Sequence, residues 1–187
     1  TIWLFFSNAV SRSSDSTVNS VDLVSKVYFP RVVIPIAATF PALVDFGAAL
    51  VVLIAVGLAY GIVPGPEVLL LPLVLALALA TALGAGIWLS AVVVRYRDAR
   101  LLVPFGLQMM LYMTPIVYPL SLIPENLQPY YALNPMVGVI EAFRWCILPD
   151  AEFPGALLLI PIVASAILLV SGLMYFDKAE QSFADVI

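Results

Sequence analysis

The sequence predicts an all-α polytopic membrane protein. Of its 187 residues, 63% are apolar and 11% are charged, and the mean hydropathy is +1.09. A soluble domain carries about 25% charged residues, so there is too little polar surface here to cover a water-soluble core. Four uncharged stretches of 21, 27, 24 and 24 residues interrupt the charged positions. Each is long enough for a helix that crosses a ~30 Å hydrocarbon core.

The uncharged stretches place four complete spanning helices. They are predicted at residues 41–60, 69–94, 101–118 and 154–176. Pro41, Pro104 and Pro154 fall in predicted first turns, where a missing N–H breaks no intrahelical bond. Pro72 and Pro161 lie deeper, so each indicates either a bend or a later helix start.

Two features near the start of the chain need an interpretation. Residues 1–6 are apolar but too short to span a bilayer, and they lack the basic region and apolar core of a signal peptide. We interpret them as the end of an earlier membrane helix, which would make the chain a fragment; a short interfacial anchor is the alternative.

Asp45 falls in the first turn of the first predicted span. An acid at that position suits the positive end of the helix dipole, and the alternative is a role in an ion pathway.

Basic residues predict the orientation of the helices. An alternating path through the membrane leaves only Arg144 on one side. The other side holds Arg12, Lys26, Arg31, Arg95, Arg97, Arg100 and Lys178. This asymmetry places the second side in the cytoplasm. The cytoplasmic segments are then residues 7–31, 95–100 and 177–187, whereas residues 119–152 face outward.

Two predicted cytoplasmic segments have sequence features that a simple connecting loop does not need. Residues 11–25 predict a short amphipathic helix on the membrane surface, capped at Ser14 or Ser16. Its apolar positions at three-residue spacing are Val18, Val21 and Val24. The six-residue turn 95–100 contains four charges and a tyrosine. These segments serve either as headgroup anchors or as a docking surface for a cytoplasmic partner.

A short helix is predicted on the outer side. Asn134 is a candidate N-cap followed by Pro135 at the first helical position. The apolar positions that follow with helical spacing are Met136, Val139, Ile140, Phe143 and Ile147. A helix of about 12–14 residues, ending near Pro149, is too short to cross, so it lies in the interface or dips into the membrane. Glu141 and Arg144 are spaced to pair within it. Residues 121–128 indicate another brief helical turn.

Five aromatic residues surround this outer segment. They are Tyr112, Tyr118, Tyr130, Tyr131 and Trp145. Anchoring at the membrane interface explains aromatic residues at such positions without a further function. The alternative is stacking against the apolar faces of sugar rings.

Small residues on the second predicted span indicate close helix packing. Ala80 with Gly84, and Ala82 with Gly86, are spaced four residues apart. Small side chains let membrane helices approach closely. The contacts could lie within one chain or between two copies.

Composition and motifs exclude several functions. The chain has no histidine and one cysteine, Cys146, so it can form no His/Cys metal cluster, internal disulfide or histidine-activated nucleophile. The net charge of −4 offers no basic face for nucleic acid. No phosphate-binding loop motif occurs, so ATP hydrolysis would need a separate subunit. A membrane enzyme acting on lipids would need carboxylates at membrane depth, where only Asp45 is available.

Five short motifs, in their order and placement, give the chain a family resemblance. They are KVYFPR at residues 26–31, VRYRD at 94–98, TPIVYP at 114–119, LNPM at 133–136 and FADVI at 183–187. Together they resemble the membrane subunit of bacterial polysaccharide ABC exporters. These type-2 permeases export lipid-linked O-antigen, capsule or teichoic-acid chains. The resemblance covers essentially the whole chain.

The resemblance implies an architecture and a set of partners. The full subunit would have six helices in the bacterial cytoplasmic (inner) membrane, with the first and most of the second absent here. It would form a homodimer surrounded by membrane lipids, and a cytoplasmic ATPase, which binds ATP and Mg, would drive it. No cofactor is expected on this chain. A permease for drugs or other lipophilic small molecules has the same topology and is the alternative.

The resemblance also implies site residues. ATPase coupling is assigned to Val18, Val21, Val24, Lys26, Arg31, Arg95, Tyr96, Arg97, Asp98 and Arg100. The outer helices would act as a gate. The substrate path and gate are assigned to the five aromatic residues with Glu141 and Arg144. No catalytic or metal-binding residue is expected.

Overall fold

The computed structural model describes most of the chain. The described residues are 1–20, 29–116, 118, 122–124, 126–149, 151 and 153–180. Their α-helices are α1 (Ile2–Asn19), α2 (Val33–Ala37), α3 (Phe40–Ala59), α4 (Leu71–Arg95), α5 (Ala99–Met113), α6 (Gln128–Ala132), α7 (Pro135–Ile147) and α8 (Leu159–Glu180). Short 3-10 helices, Pro66–Leu70 and Gly155–Leu158, precede α4 and α8. The predicted all-α membrane class is confirmed.

Helix α4 is the centre of the bundle, with α1 and α8 packed against it. Glycines make both contacts close. A Cβ atom on Gly84 would lie 2.7 Å from the Leu169 backbone nitrogen of α8, and one on Gly86 would lie 2.5 Å from Ser13 Oγ of α1. The predicted packing of small residues is therefore confirmed at these two glycines as contact within one chain.

Buried hydroxyl pairs accompany these contacts. Thr81 of α4 lies 2.8 Å from Ser165 of α8, and Ser90 of α4 lies 2.7 Å from Thr17 of α1, oxygen to oxygen. Each pair satisfies polar groups between helices where water is excluded.

Among the residues that the structure describes, three segments are long and apolar enough to cross a membrane. They are Val33–Ala59, Pro66–Arg95 and Leu159–Glu180. The third predicted span, residues 101–118, is represented by the 15-residue α5. Helix α5 ends at Met113 because Thr114, with ψ 135°, is extended ahead of Pro115. It begins at Ala99, so Pro104 lies inside the helix and not in its first turn, which corrects the prediction.

The first helix also differs from the prediction. The apolar start of the chain and residues 11–19 form one continuous helix, α1, and not a membrane stub followed by a separate surface helix. Ser13, Ser16 and Thr17 are buried between helices, because small hydroxyl side chains fit close against α4. Residues 21–25 of the predicted surface helix lie outside the described residues.

Two other predictions near helix starts are resolved. Pro72 and Pro161 lie in the first turns of α4 and α8, so both mark later helix starts. Asp45 lies in the second turn of α3, because this helix begins at Phe40, and not in the first turn. Its side chain is 58% exposed and pairs with Arg12 at 3.5 Å.

The bundle has two distinct ends. We call the one that holds the α4–α5 turn the basic end; there α2 packs beside the last turns of α4 and α8 around Val94 and Phe176. It carries Arg31, Arg95, Arg97, Arg100 and Lys178, whereas Arg12 lies within α1, where its neighbour Ser13 contacts Gly86 of α4. The other, which we call the opposite end, holds α6, α7 and Arg144. Arg144 and these five basic residues thus lie at different ends, and the orientation in the membrane stays a prediction.

Candidate functional site

The turn between α4 and α5 exposes charged groups at the basic end. Arg95 lies over the ring of Tyr96, 5.5 Å from its centroid, and both side chains are exposed. Arg97 and Asp98 are also exposed, and neither forms an ion pair within the described part of the chain. These side chains are available for contact with another protein.

Other basic residues join distant segments of this chain. Arg100 lies 3.2 Å from Asp15 of α1, and Arg31 lies 3.7 Å from Glu180 of α8. Arg31 also donates to the Glu180 backbone carbonyl at 3.1 Å. Arg31 and Arg100, both predicted for ATPase coupling, therefore contact other segments of this chain, and their coupling role stays a prediction.

The remaining predicted coupling residues lie near the end of α1 or beyond it. Val18 occupies the last turn of α1 and packs, partly buried, against the core. Val21, Val24 and Lys26 lie outside the described residues. The coupling role of this segment stays a prediction.

At the opposite end, α7 is enclosed by the bundle. Its 13 residues match the predicted length, and Asn134 caps it by accepting a hydrogen bond from the Met136 N–H at 3.1 Å. All five positions of the predicted apolar face are buried. Phe143 contacts Phe46 of α3 edge-on at 6.2 Å between ring centroids. The helix therefore packs among the other helices, and its depth in the membrane, at the interface or below it, stays a prediction.

Polar side chains connect α7 to the segment after α5. Arg144 donates to Glu141 at 2.8 Å, which confirms the predicted pair, and to the Ile116 backbone carbonyl at 2.7 Å. Asn134 Nδ2 donates to Thr114 Oγ1 at 3.0 Å, and Thr114 in turn donates to the Met110 carbonyl at 2.7 Å. Thr114 is 1% exposed. Two contacts therefore fix the end of α5 against α7.

The five predicted aromatic residues are only partly brought together. Tyr118 lies beside Tyr131, and desolvation together with this neighbour raises the pKa of Tyr118. Trp145 packs edge-on against Phe153 at 4.9 Å. Tyr112 and Tyr130 are 68% and 70% exposed. The predicted turn at 121–128 includes two residues outside the described part, and α6 begins at its last residue.

A cavity of about 280 Å³ lies between α4, α7 and α8. Its lining, which includes Leu77, Ala142 and Ile162, is almost wholly apolar. Such a surface suits hydrocarbon and offers no hydrogen bonds to a sugar.

Sequence reasoning missed Thr114, Asp15 and Phe153. Thr114 precedes a proline, which is a signal for a helix end. The partners of Asp15 and Phe153 depend on tertiary packing, and no local pattern indicates them. Within the described residues, no group of three His, Cys, Asp or Glu side chains is placed to hold a metal.

Long apolar helices that pack through small residues define an integral, multi-span helical membrane protein. The chain belongs to the ABC-2 type transporter family, whose model matches residues 1–148. It is a permease subunit, and the family implies an ATPase partner.

Curated relatives match along the whole chain. The O-antigen export system permease protein RfbA of Myxococcus xanthus is 31% identical over 191 residues, covering 99% of this chain and 72% of the relative. Two proteins of the same name from Klebsiella pneumoniae are 27% and 26% identical. Those matches cover 99% of this chain and 71% of each relative.

Proposed function

We propose that this chain is the transmembrane subunit of an ATP-driven exporter that moves lipid-linked polysaccharide across the bacterial inner membrane. The observation that carries the proposal is similarity over 99% of the chain to three permeases named for O-antigen export. The substrate class rests on these names and on the resemblance in the motifs. The fold itself is compatible with other ABC-2 cargo.

The partners follow from the same proposal. A second copy of the permease would complete the translocation path, and a cytoplasmic ATPase would bind ATP and Mg. The exposed turn at Tyr96, Arg97 and Asp98 is the proposed docking point, because its charged groups have no ion pair in the described part of the chain. No cofactor is proposed on the permease.

Aromatic residues near the inserted helix are the proposed path for sugar rings. An aromatic ring contributes about 1 kcal/mol when it stacks on another planar group. Such weak contacts at Tyr118, Tyr131 and Trp145 would let a polymer slide past. Glu141 and Arg144 would belong to the gate beside them.

Transport of a lipophilic small molecule is the second candidate. The cavity between α4, α7 and α8 favours it, because its lining is almost wholly apolar, as in sites for small ligands, although its volume of about 280 Å³ lies just below their usual range of about 300–1,000 Å³. A polysaccharide could not use this cavity as its path.

Deletion of the gene, followed by complementation with the full-length subunit, tests the proposal. We expect the deletion strain to accumulate lipid-linked glycan inside the cell and to lose surface polysaccharide, and the wild-type gene to restore export. The variant R97A/D98A should reach normal membrane abundance but co-purify with less ATPase. Normal surface polysaccharide in the deletion strain, with altered efflux of a lipophilic dye, would favour the second candidate.

The path residues need a matched series. Two series of single and combined variants are compared at Tyr118, Tyr131 and Trp145. One series introduces Phe, which keeps an aromatic ring, and the other introduces Ala, which removes it. Export per folded transporter should persist in the Phe series and fall in the combined Ala variant. Full export by the triple Ala variant contradicts a sugar path at these residues.

A further inference from the structure

The apolar cavity between α4, α7 and α8 opens onto the outside of the bundle. Two residues of its rim, Leu73 and Ile162, are 70% and 46% exposed, and each belongs to a segment long and apolar enough to cross a membrane. The described lining residues are all apolar. An engineered cavity of ~150 Å³ with a similar lining stays dry and binds benzene. We therefore expect the larger cavity of this protein to hold hydrocarbon and not water.

A narrow cleft adjoins this cavity. Leu158 lines both, and the cleft continues between α6, α7 and the start of α8, past Gly138 and Pro161. Glu141 is the charged residue of its described lining. Gly138 packs so closely on Pro161 that a Cβ atom at this position would clash with the proline ring. The described walls of the cavity and the cleft thus belong to helices of this chain that are in direct contact.

The cleft lies nearer the end of the bundle than the cavity does. The last turns of α4 and α8 meet at the basic end, so both helices begin at the opposite end. The cavity reaches Leu77 in the second turn of α4 and Ile162 in the first turn of α8. The cleft includes Pro154, which precedes α8, and Ala132, which precedes α7. Because headgroups lie outside the hydrocarbon core, this order suits a lipid with its tail in the cavity and its headgroup in the cleft.

The charged side chains beside the cleft match a headgroup that carries both signs of charge. Glu141 Oε1 accepts from Arg144 at 2.8 Å, whereas Glu141 Oε2 has no hydrogen bond or ion pair within the described residues. The Glu141 side chain is 21% exposed. Arg144 uses Nη1 and Nη2 for Glu141 and the Ile116 carbonyl, which leaves N–H donors for an anion. An ammonium group and a neighbouring phosphate would therefore both find a partner.

We propose that the cavity and the cleft form a site for a resident aminophospholipid. One acyl chain lies between α4, α7 and α8, and the primary ammonium group of the headgroup donates to Glu141. Such charge-assisted hydrogen bonds are short and strong. A quaternary ammonium has no N–H to donate, and a glycerol headgroup has no cation. The site therefore distinguishes lipids that share the same tails, and the inference does not depend on the cargo of the transporter.

Variants that fill the cavity are compared with variants that remove the charge. A76F places a ring at the exposed rim of the cavity, and A142L fills the cavity from its buried side. A55F makes the same change as A76F at an exposed position of α3 outside the lining, and is the matched control. E141Q removes the charge with little change in shape. E67Q is its control, because Glu67 lies at the same end but outside the described lining of the cleft.

Native mass spectrometry of the full-length permease, purified with its ATPase and delipidated in detergent, tests the proposal. The probes are phosphatidylethanolamine, phosphatidylcholine and phosphatidylglycerol, all with oleoyl tails and each titrated separately. The measured quantity is the apparent Kd of the first lipid bound per permease subunit. In the wild type, phosphatidylethanolamine should bind about fivefold more tightly than either other lipid, which is the factor for one typical hydrogen bond.

The two kinds of variant should differ in which lipids they affect. E141Q should lose the preference for phosphatidylethanolamine and bind the other two lipids at least as tightly as the wild type does. A76F and A142L should weaken binding of all three lipids about tenfold, the loss expected when roughly two methylene groups are no longer buried. A55F and E67Q should match the wild type. Thermal stability is measured in parallel, and if A142L does not fold, A76F at the exposed rim tests the cavity.

Equal affinity of the wild type for the three lipids overturns the proposal. So does an equal loss of binding in A76F and A55F, which would assign the lipid to the general surface of the bundle. If a lipophilic dye displaces the lipid and the transporter exports that dye, the cavity is a cargo site and the proposal also fails. If polysaccharide export is absent but the lipid affinities behave as expected, the proposed cargo is wrong and the lipid site stands.

Discussion

Helices α4 and α5 both connect the two ends of the bundle, and they are held in opposite ways. Twelve of the 25 residues of α4 are buried, and its glycines and hydroxyls contact α1 and α8 along its length. Two of the 15 residues of α5 are buried, and polar contacts lie at its ends. The difference indicates a central helix that this chain encloses beside one whose sides this chain leaves exposed.

The largest expected effect is at a glycine of α4. In G84V the new side chain would collide with the backbone of Leu168 and Leu169, which cannot give way as a flexible side chain could. Overpacking of this kind costs about 1–3 kcal/mol or more. We therefore expect little folded protein in the membrane. The measurement is the fraction of detergent-solubilised protein that elutes as one monodisperse peak in size-exclusion chromatography.

The matched control lies in α5. No described atom lies within 4 Å of a Cβ placed on Gly106. G106V should therefore insert and fold at close to wild-type abundance. Equal loss of folded protein in the two variants would remove the contrast between the helices.

An intermediate effect is expected at the hydroxyl pair between α4 and α8. Interhelical hydrogen bonds in membranes average about 0.6 kcal/mol in double-mutant cycles. The cycle of T81V and S165A should give a coupling free energy of unfolding of this size. Zero coupling would show that each hydroxyl is satisfied by the carbonyl of its own helix, Leu77 or Pro161.

The smallest expected effect is at the basic end of α5. Asp15 and Arg100 form a partly exposed pair, and such pairs contribute about 0.2–1 kcal/mol and weaken with salt. D15R or R100D alone should lower thermal stability slightly, and the exchanged double variant should recover it. A loss of several kcal/mol in either single variant would mean that α5 is fixed as firmly as α4.

The sequence predicts the parts of this contrast that have local signals. The lengths of the uncharged stretches predicted the long spans. The Asn134-Pro135 pair predicted the start of α7, and the small residues predicted the packing of α4. The course of α1 was wrong because its serines were interpreted as a surface segment, whereas they pack between helices. The end of α5 was placed too late because hydropathy continues past Pro115.

Most of the candidate site could not be predicted. Contacts such as Arg100 with Asp15 and Asn134 with Thr114 join residues 85 and 20 positions apart in sequence. The spacing of apolar residues along the sequence does not predict which helices become neighbours. Glu141 with Arg144 was predicted because its spacing lies within one helix turn.

The most direct test of the account is the side of the membrane on which the α4–α5 turn lies. The proposed docking of the ATPase requires the turn in the cytoplasm. Single cysteines are placed at the exposed positions Arg97, in the turn, and Pro66 and Asn126, at the opposite end, in a full-length parent without Cys146. Intact cells are treated with a membrane-impermeant thiol reagent. We predict labelling at positions 66 and 126, and labelling at position 97 only after the cells are opened. Labelling at position 97 in cells verified as intact would contradict the account.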